Sequence, residues 1–330
     1  MPETMRYAQA VNHALRLLMS RDDRVFMAGE DIGIYGGAFG VTDGLLDAFG
    51  PERIRDTPIS EEVIAGLAVG AAMTGLRPIV EMQFSDFVVN AMDPIVNQAA
   101  KLHFMYGGNV EVPMVIRLPG GGGTGAAAQH SQSLEAWFAH IPGLKVVAPA
   151  TAQDAHDLLI TAVADPNPVM VFEHKLLYKD EGDVEVRDSI EPVASLGEAV
   201  VRRPGDDLTI VGYSIMAMRA LEAAERLEDS GISAEVIDLR SLSPLDIETV
   251  RASVKRTGRL LVTHEAPAAV GVGAEVVAGV VESDALDYLL APVSRVCGRP
   301  IPMPYAKSLE TATIPQVDDV ELAAKELMNA

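Results

Sequence analysis

One acidic side chain stands where a helix begins, in the segment DTPISEEVIAGLAVG of residues 56–70. Ser60 is a good N-cap residue, which puts Glu61 in the first helical turn. Gly66 and Gly70 follow one turn apart on a face that another backbone can approach closely. The remaining positions are apolar nearly all round, so this helix is expected to be buried or to lie in a subunit interface. A buried carboxyl here can hold a proton near neutral pH, although an acid in this position more often only complements the helix dipole.

A histidine follows a glycine-rich stretch. Residues 120–125 read GGGGTG, and His130 comes five positions later. Such glycines let backbone lie against a ligand or move as a lid, and an imidazole can transfer protons near neutral pH. No Gly-Lys-Ser/Thr follows, so this is not a phosphate-binding Walker A loop. The plainer alternative is that His130 is a surface residue.

Metal chemistry of the transition series is not indicated. The other six histidines show no paired ligand spacing, and Cys297 is the only cysteine. An internal disulfide and a cysteine-rich metal site are therefore excluded.

The elements that must position these residues form two alternating series. Short Val-rich strands alternating with helices indicate a parallel sheet covered on both faces. The first series predicts strands at 25–28, 78–83, 112–117, 144–148 and 169–173, and helices starting at Thr4 and at 60–75, 84–106, 133–139 and 151–164. The second series predicts strands at 208–212, 234–239, 260–264 and 293–296, and helices at 215–230, 244–255 (with Ser243 as N-cap), 271–282 and 318–328.

Two α/β domains are therefore predicted. The periodic pattern dissolves into charges over residues 179–191 (KDEGDVEVRDSIE). We place the first domain at 1–185, a linker at 186–200 and the second domain at 201–330.

Composition limits the partners. The formal net charge of the 330 residues is −21, which argues against binding to nucleic acid or to an anionic membrane. The most apolar helical stretch, 63–76, is shorter than the roughly 18–20 residues that a membrane span needs. The N-terminal residues resemble neither a secretory signal nor a transit peptide, so a soluble cytoplasmic protein is expected.

The spacing from Glu61 to Gly70 matches the pyrimidine-domain motif of thiamine-diphosphate enzymes: Glu, four residues, Gly, an apolar residue, two residues, Gly. A wider resemblance covers nearly the whole chain. It includes the segments GEDIG, GLRPIVEMQFSDF, AMDPIVNQAAK, AEVIDLRSLSPLD and TGRLLVTHEAP. In these the chain resembles the β subunits of 2-oxo acid dehydrogenase complexes. Residues 123–133 (GTGAAAQHSQS) and 174–179 (HKLLYK) look most like acetoin dehydrogenase.

This resemblance implies a transketolase-like pyrimidine-binding domain followed by a transketolase C-terminal-like domain. It assigns Glu61 as the partner of the cofactor's ring nitrogen N1′, Phe87 as the aromatic that stacks on the aminopyrimidine and Glu30 as a second carboxylate near the cofactor. It also assigns His130 a part in proton or acyl transfer. Without the resemblance, Phe87 would be read as a core aromatic and Glu30 as a loop charge.

This sequence lacks the motif that binds the diphosphate half of the cofactor. Gly-Asp-Gly with a downstream Asn, the motif that holds Mg²⁺ and the diphosphate in this superfamily, does not occur. The resemblance therefore implies an α subunit that supplies it, in an α2β2 heterotetramer, and a chain that is inactive alone. The resemblance also implies a potassium ion held by backbone carbonyls. The alternative is that residues 165–168 only form a simple turn after a helix. The four matching residues are Met114, Ala162, Asp165 and Asn167.

The function expected on these grounds is that of an acetoin dehydrogenase β subunit. With its α subunit it would cleave acetoin and transfer the acetyl unit to the lipoyl group of a dihydrolipoamide acyltransferase. A pyruvate or branched-chain 2-oxo acid dehydrogenase β subunit is the alternative among enzymes. A non-catalytic assembly paralogue is the alternative outside catalysis, although a scaffold has no need of Glu61, Phe87 and His130 together.

Overall fold

The computed structural model describes residues 2–330, which divide into two compact α/β units. The first unit runs through Gly120 and resumes at Trp137–Leu196, and the second comprises Gly121–Ala136 and Gly197–Ala330. The predicted linker at 186–200 stays a prediction. The grouping of 121–136 with the second unit differs from the predicted first domain, because backbone N–H groups of this segment donate to Glu265 and Glu310 of the second unit.

Parallel strands form the core of the first unit. The strands are β1 (Glu3–Arg6), β2 (Val25–Gly29), β3 (Ile54–Asp56), β4 (Arg77–Glu81), β5 (Val115–Gly120), β6 (Lys145–Val147), β7 (Val169–His174) and β8 (Glu181–Val184). Six of them lie in the order β6-β7-β5-β4-β2-β3, all parallel. Strands β1 and β8 pair separately as an antiparallel ribbon. The residues of β2, β5 and β7 are buried throughout, as expected for strands covered on both faces.

Helices connect these strands. They are α1 (Tyr7–Arg21), α2 (Leu45–Phe49), α3 (Glu61–Met73), α4 (Ala100–Met105), α5 (Glu135–Ala139) and α6 (Ala152–Ala164). Thr151 caps α6, since its hydroxyl accepts the N–H of Asp154 at 3.1 Å.

The second unit is built around a five-stranded sheet. The strands of this unit are β9 (Val200–Arg203), β10 (Leu208–Gly212), β11 (Ala234–Asp238), β12 (Ser241–Ser243), β13 (Leu260–Pro267) and β14 (Ser294–Gly298), of which β12 lies outside the five-stranded sheet. The sheet order is β14-β13-β10-β11-β9, parallel except for β9. The helices are α7 (Ile215–Glu228), α8 (Ile247–Thr257), α9 (Val272–Val281), α10 (Lys307–Thr313) and α11 (Val317–Met328). The predicted fold class, two α/β parts with parallel sheets, is confirmed.

Three predicted helix positions are wrong. Thr4 lies in β1, where its hydroxyl donates to Asp183 across the ribbon, and α1 begins at Tyr7. The helix expected over 84–106 is a 3₁₀ turn at Ser85–Ala91, a π-helical turn at Asp93–Ala99 and then α4, with Pro94 in the first turn of the π segment. Helix α8 is capped by Asp246 rather than by Ser243, because the Asp246 carboxylate accepts the N–H of Thr249.

Within residues 2–330, no helix is both long enough and apolar enough to cross a bilayer.

Candidate active site

Two acidic residues meet at the carboxyl ends of neighbouring parallel strands. Strands β2 and β3 pair in parallel with Gly29 opposite Asp56. Glu30 follows β2 directly, and Glu61 opens α3 after a short loop that follows β3. Loops at this edge of a parallel sheet are the usual place for ligands in α/β folds.

Two hydrogen bonds fix these loops to each other. The N–H of Thr57 donates to the Gly29 carbonyl at 2.9 Å, and the N–H of Gly33 donates to Asp56 Oδ1 at 2.7 Å. Ser60 occupies the predicted N-cap position, but its hydroxyl makes no capping bond. Its backbone N–H instead faces the Glu30 carboxyl. The start of α3 thus provides a backbone N–H group to Glu30.

Both carboxyl groups are buried. Glu61 is 6% exposed and Glu30 is 5% exposed. Burial, and then the negative charge of Glu61, raise the pKa of Glu30 above its ordinary value. Glu30 Oε1 has no hydrogen-bond partner among residues 2–330. A buried acid pair with an unsatisfied oxygen is a site ready for a polar ligand that donates hydrogen bonds.

Asn90 contacts Glu61 from the same 3₁₀ turn that carries the predicted aromatic residue. Its Nδ2 donates to Glu61 Oε2 at 3.2 Å. Phe87 lies on the same 3₁₀ turn, after β4, and is half-buried. The structure therefore brings Glu30, Glu61 and Phe87 together at one sheet edge. Sequence reasoning missed Asn90, and no sequence signal identifies it because its contact depends on the 3₁₀ geometry of the turn.

Aromatic packing sets the position of Phe87. Its ring meets Phe84 edge to face, with centroids 6.2 Å apart. Phe84 in turn meets Phe39 edge to face at 5.6 Å, and Phe39 stacks on Tyr178 at 5.2 Å. Edge-to-face contacts of this kind orient rings as well as burying them.

A buried ionic cluster anchors this aromatic series. Arg117 is fully buried, and its guanidinium donates to Glu81 and to both oxygens of Glu173, at 2.8 and 2.6 Å for the latter. The Tyr178 hydroxyl donates to Glu173 Oε2 at 2.7 Å. The cluster links β4, β5 and β7. Through Tyr178, the aromatic series that ends at Phe87 is therefore attached to the centre of the sheet.

His130 belongs to the second unit. It lies half-buried in Gly121–Ala136, just after Ala127, which has a left-handed backbone (φ 62°). Glu135, in the same segment, is buried, and this burial, followed by the charge of Glu265, raises its pKa to about 8. Sequence reasoning gave no role to Glu135, Glu265 or Glu310, although Glu265 lies in the segment TGRLLVTHEAP, which contributes to the family resemblance.

The four residues predicted to hold potassium lie in the first unit, near the end of α6. Ala162 is in the last turn of this helix, and Pro166, four residues later, has no N–H to donate to its carbonyl. The Met114 carbonyl accepts the N–H of Val169 at 3.0 Å, and Asp165 Oδ1 accepts the N–H of Asn167 at 2.9 Å. No group of three or more His, Cys, Asp or Glu side chains suited to a metal ion occurs within 2–330.

Comparisons with known proteins cover both units. Residues 3–181 match the family model "Transketolase, pyrimidine binding domain", and residues 197–320 match "Transketolase, C-terminal domain". The chain is 49% identical over 319 residues to the pyruvate dehydrogenase E1 component subunit beta of Rickettsia bellii, covering 97% of both chains. It is 48% identical over 323 residues to the mitochondrial subunit beta-2 of Oryza sativa subsp. japonica, covering 97% of this chain and 85% of the relative. The chain belongs to the E1 β-subunit family of the 2-oxo acid dehydrogenases.

The E1 β family uses thiamine diphosphate, as the sequence motif predicted. A solved structure described as "Split gene transketolase, inactive beta4 tetramer" shares the fold, with a TM-score of 0.79, 24% identity and 98% coverage of both chains. The family predicted from the sequence is confirmed. The narrower prediction of acetoin dehydrogenase is not, since the relatives named here are pyruvate dehydrogenase subunits.

Replacing Glu30 by Gln in this E1 β-family chain should stabilise the fold at neutral pH. The raised pKa of Glu30 means that its contribution to stability is complete below the ordinary value of 4.5 and is lost as the pH rises through the folded-state pKa. Glu30→Gln stays neutral, so its Tm should exceed that of the wild type at pH 7 but not below about pH 4.5.

Thermal denaturation of the full chain across this pH range checks the expectation, with Glu62→Gln as control because Glu62 is exposed on the same helix turn. A Glu30→Gln chain that is less stable than the wild type at pH 7 would contradict the expectation that burial of Glu30 destabilises the fold at this pH.

Proposed function

We propose that this chain is the β subunit of a pyruvate dehydrogenase first component. With an α subunit it would decarboxylate pyruvate and pass the acetyl unit to the lipoyl group of a dihydrolipoamide acyltransferase. The observation that carries the proposal is the buried pair Glu30 and Glu61 beside Phe87, at the carboxyl ends of β2, β3 and β4. Identity of 49% over 97% of both chains to a named pyruvate dehydrogenase β subunit supports the substrate.

These residues suit the aminopyrimidine half of thiamine diphosphate. When bound, the cofactor supplies a nucleophilic thiazolium carbon that attacks the substrate carbonyl. Glu61 would hold a proton shared with the ring nitrogen N1′, which suits a buried carboxyl at this position. Asn90, which donates to Glu61 Oε2, orients the carboxyl, and Phe87 offers a half-buried ring face for stacking.

His130 would act on the substrate side. Pyruvate loses CO2, which requires no base at the departing carbon. Acetoin loses acetaldehyde, which requires removal of a hydroxyl proton. An imidazole suits that proton transfer and the protonation steps of acyl transfer to lipoyl.

An exposed apolar face supports the proposal of an α partner that holds Mg²⁺ and the diphosphate. Val63 is 61% exposed on α3, and Ile59, just before this helix, is 83% exposed. A Cβ added at Gly66 or Gly70 would meet nothing within 4 Å. An apolar helix face with exposed glycines suits close packing against another chain, and we propose an α2β2 assembly.

Acetoin is the second candidate substrate. The segment 174–179 that looks like acetoin dehydrogenase lies beside the aromatic series: the buried Lys175 ammonium is 5.3 Å from the centroid of the Phe84 ring. Phe84 contacts Phe87. A segment separated from Phe87 by one side chain, Phe84, is suitably placed to influence substrate choice.

The two substrates can be separated in the reconstituted enzyme. Co-expressed with its α subunit and loaded with thiamine diphosphate and Mg²⁺, the chain should turn over pyruvate faster than acetoin with a dye acceptor. The β chain alone should be inactive with both substrates. Faster turnover of acetoin would favour the second candidate, and an assembled, cofactor-loaded enzyme inactive with both would favour a non-catalytic paralogue.

Replacing Glu61 by Gln should slow proton exchange at the thiazolium C2 of the bound cofactor by about 10²–10⁴-fold, since the amide cannot share a proton with N1′ in the same way. NMR of the bound cofactor in the α/β enzyme measures this exchange. Glu62→Gln is the matched control, because it changes the neighbouring exposed acid. Unaltered exchange in Glu61→Gln would refute the role of Glu61.

We also propose potassium at the end of α6, held by the backbone carbonyls of Met114, Ala162, Asp165 and Asn167. The carbonyl of Ala162, whose usual helical donor is replaced by Pro166, supports this, and hard oxygen ligands suit such an ion. The Tm of the chain should then be higher in KCl than in choline chloride at equal ionic strength. Equal Tm values in potassium, sodium and choline chloride would argue against the site.

A further inference from the structure

The segment that carries His130 has an irregular backbone. We call residues 121–133 the His130 segment. Gly121, Gly123 and Gly125 adopt positive φ values of 81°, 90° and 71°, and Ala127 adopts 62°. Alternate residues of this kind turn backbone N–H groups out of any helix or sheet pattern, so these groups require other acceptors.

Two carboxylates of the second unit supply these acceptors. Glu265, on β13, accepts the N–H of Gly122 at 2.7 Å and the hydroxyl of Ser133 at 3.0 Å, both on Oε1. Glu310, on α10, accepts the N–H of Gly123 on Oε1 at 2.8 Å and the N–H of Gly125 on Oε2 at 3.0 Å. Glu265 therefore binds near both ends of the segment, and Glu310 binds two residues between these ends.

The acceptor side chains of these bonds are buried. Glu310 is 1% exposed and Glu265 is 9% exposed. Loss of these donors would leave buried side-chain oxygens without partners, so the two acidic side chains and the segment hold each other in place.

The packing around Gly122 leaves little freedom. A Cβ at this position would lie 2.6 Å from Ile314 Cδ1 and 2.9 Å from Met303 Cε. Any side chain larger than that of glycine at this position would therefore require Ile314 or Met303 to move. The glycine run that suggests a flexible lid in the sequence is therefore bound to acidic side chains in the fold.

We propose that Glu265 and Glu310 are positioning residues that hold the His130 segment, and with it the imidazole, in one conformation for reaction. The inference rests on the proposed function through the role of His130. Neither acid touches the reacting atoms in this proposal, since both act on the backbone that carries the histidine. A misplacement of about 1 Å in such a group can reduce turnover by about 100-fold.

The test combines variants of Glu310 in the α/β holoenzyme. Glu310→Ala should lower kcat by about 10- to 100-fold with an unchanged affinity for thiamine diphosphate. Glu310→Gln should retain most of the activity, because Oε1 alone lies 2.8 and 3.2 Å from the N atoms of Gly123 and Gly125 and an amide oxygen can accept from both. Rescue by this conservative variant separates segment holding from a need for charge.

A double variant asks whether Glu310 acts through the histidine. If it does, His130→Ala with Glu310→Ala should be no slower than His130→Ala alone. Hydrogen exchange of the full-length β chain, followed by mass spectrometry, should show exchange of the His130 segment faster by on the order of 10-fold in Glu310→Ala. Glu235→Gln is the matched control, a buried acid of the same unit that pairs with Arg256 instead of the segment. It should leave both readouts unchanged.

The outcomes separate the inference from the proposed function. Additive losses in the double variant, or unchanged exchange in Glu310→Ala, would overturn the positioning role. A fully active His130→Ala enzyme would instead remove His130 from the proposed reaction, while the exchange measurement would still decide whether Glu310 orders the segment. If Glu310→Ala does not fold or assemble, Glu310→Asp withdraws the carboxylate by one methylene and takes its place in each arm.

Discussion

The chemistry of the first unit depends on holding two acids side by side in an apolar environment. Glu30 and Glu61 are both buried, and the negative charge of one raises the pKa of the other. Two apolar side chains at these positions would stabilise the chain better, because buried charges of like sign repel and lose hydration. The pair persists because the parallel pairing of β2 with β3 and the hydrogen bonds between Thr57 and Gly29 and between Gly33 and Asp56 fix both loops.

Interactions among the central strands offset the destabilising effect of the buried acid pair. Glu81 and Glu173 are as deeply buried as the site acids, but Arg117 and the Tyr178 hydroxyl hydrogen-bond them. The same Tyr178 stacks on Phe39, and from there edge-to-face contacts lead through Phe84 to Phe87. A fully partnered ionic cluster thus orients an aromatic ring at the sheet edge. The two site acids at this edge have no basic side chain as a partner among the described hydrogen bonds and ion pairs of residues 2–330.

Local sequence pattern was sufficient for part of this arrangement. Glu61 was predictable because it opens an apolar helix and its spacing to Gly66 and Gly70 matches the motif of thiamine-diphosphate enzymes. Strand β3, which brings this helix start to the sheet edge, was not predicted because it has only three residues. Asn90 was not, since its contact depends on a 3₁₀ turn inside a stretch that reads as continuous helix. Glu310 was not either, because it accepts from backbone N–H groups about 185 residues earlier in the chain, and such a contact leaves no periodic signal. Ser243 was misread for a related reason: a Ser-Pro pair is a good start signal, but Asp246 offers a stronger acceptor one turn later.

Burial alone does not identify a functional acid in this chain, whereas the way in which the charge is accommodated does. Glu310 is 1% exposed, and backbone N–H groups satisfy both of its oxygens, which suits a structural anchor. Glu135 has an oxygen without a partner within residues 2–330, but a pKa of about 8 keeps it mostly protonated at neutral pH, so it carries little charge. Glu30 also has an unsatisfied oxygen, and burial, followed by the negative charge of the adjacent Glu61 carboxyl, raises its pKa. Glu30 differs from Glu135 because Glu61 and the half-buried ring of Phe87 lie at the same sheet edge, where a ligand with hydrogen-bond donors and an aromatic face would have partners for both features.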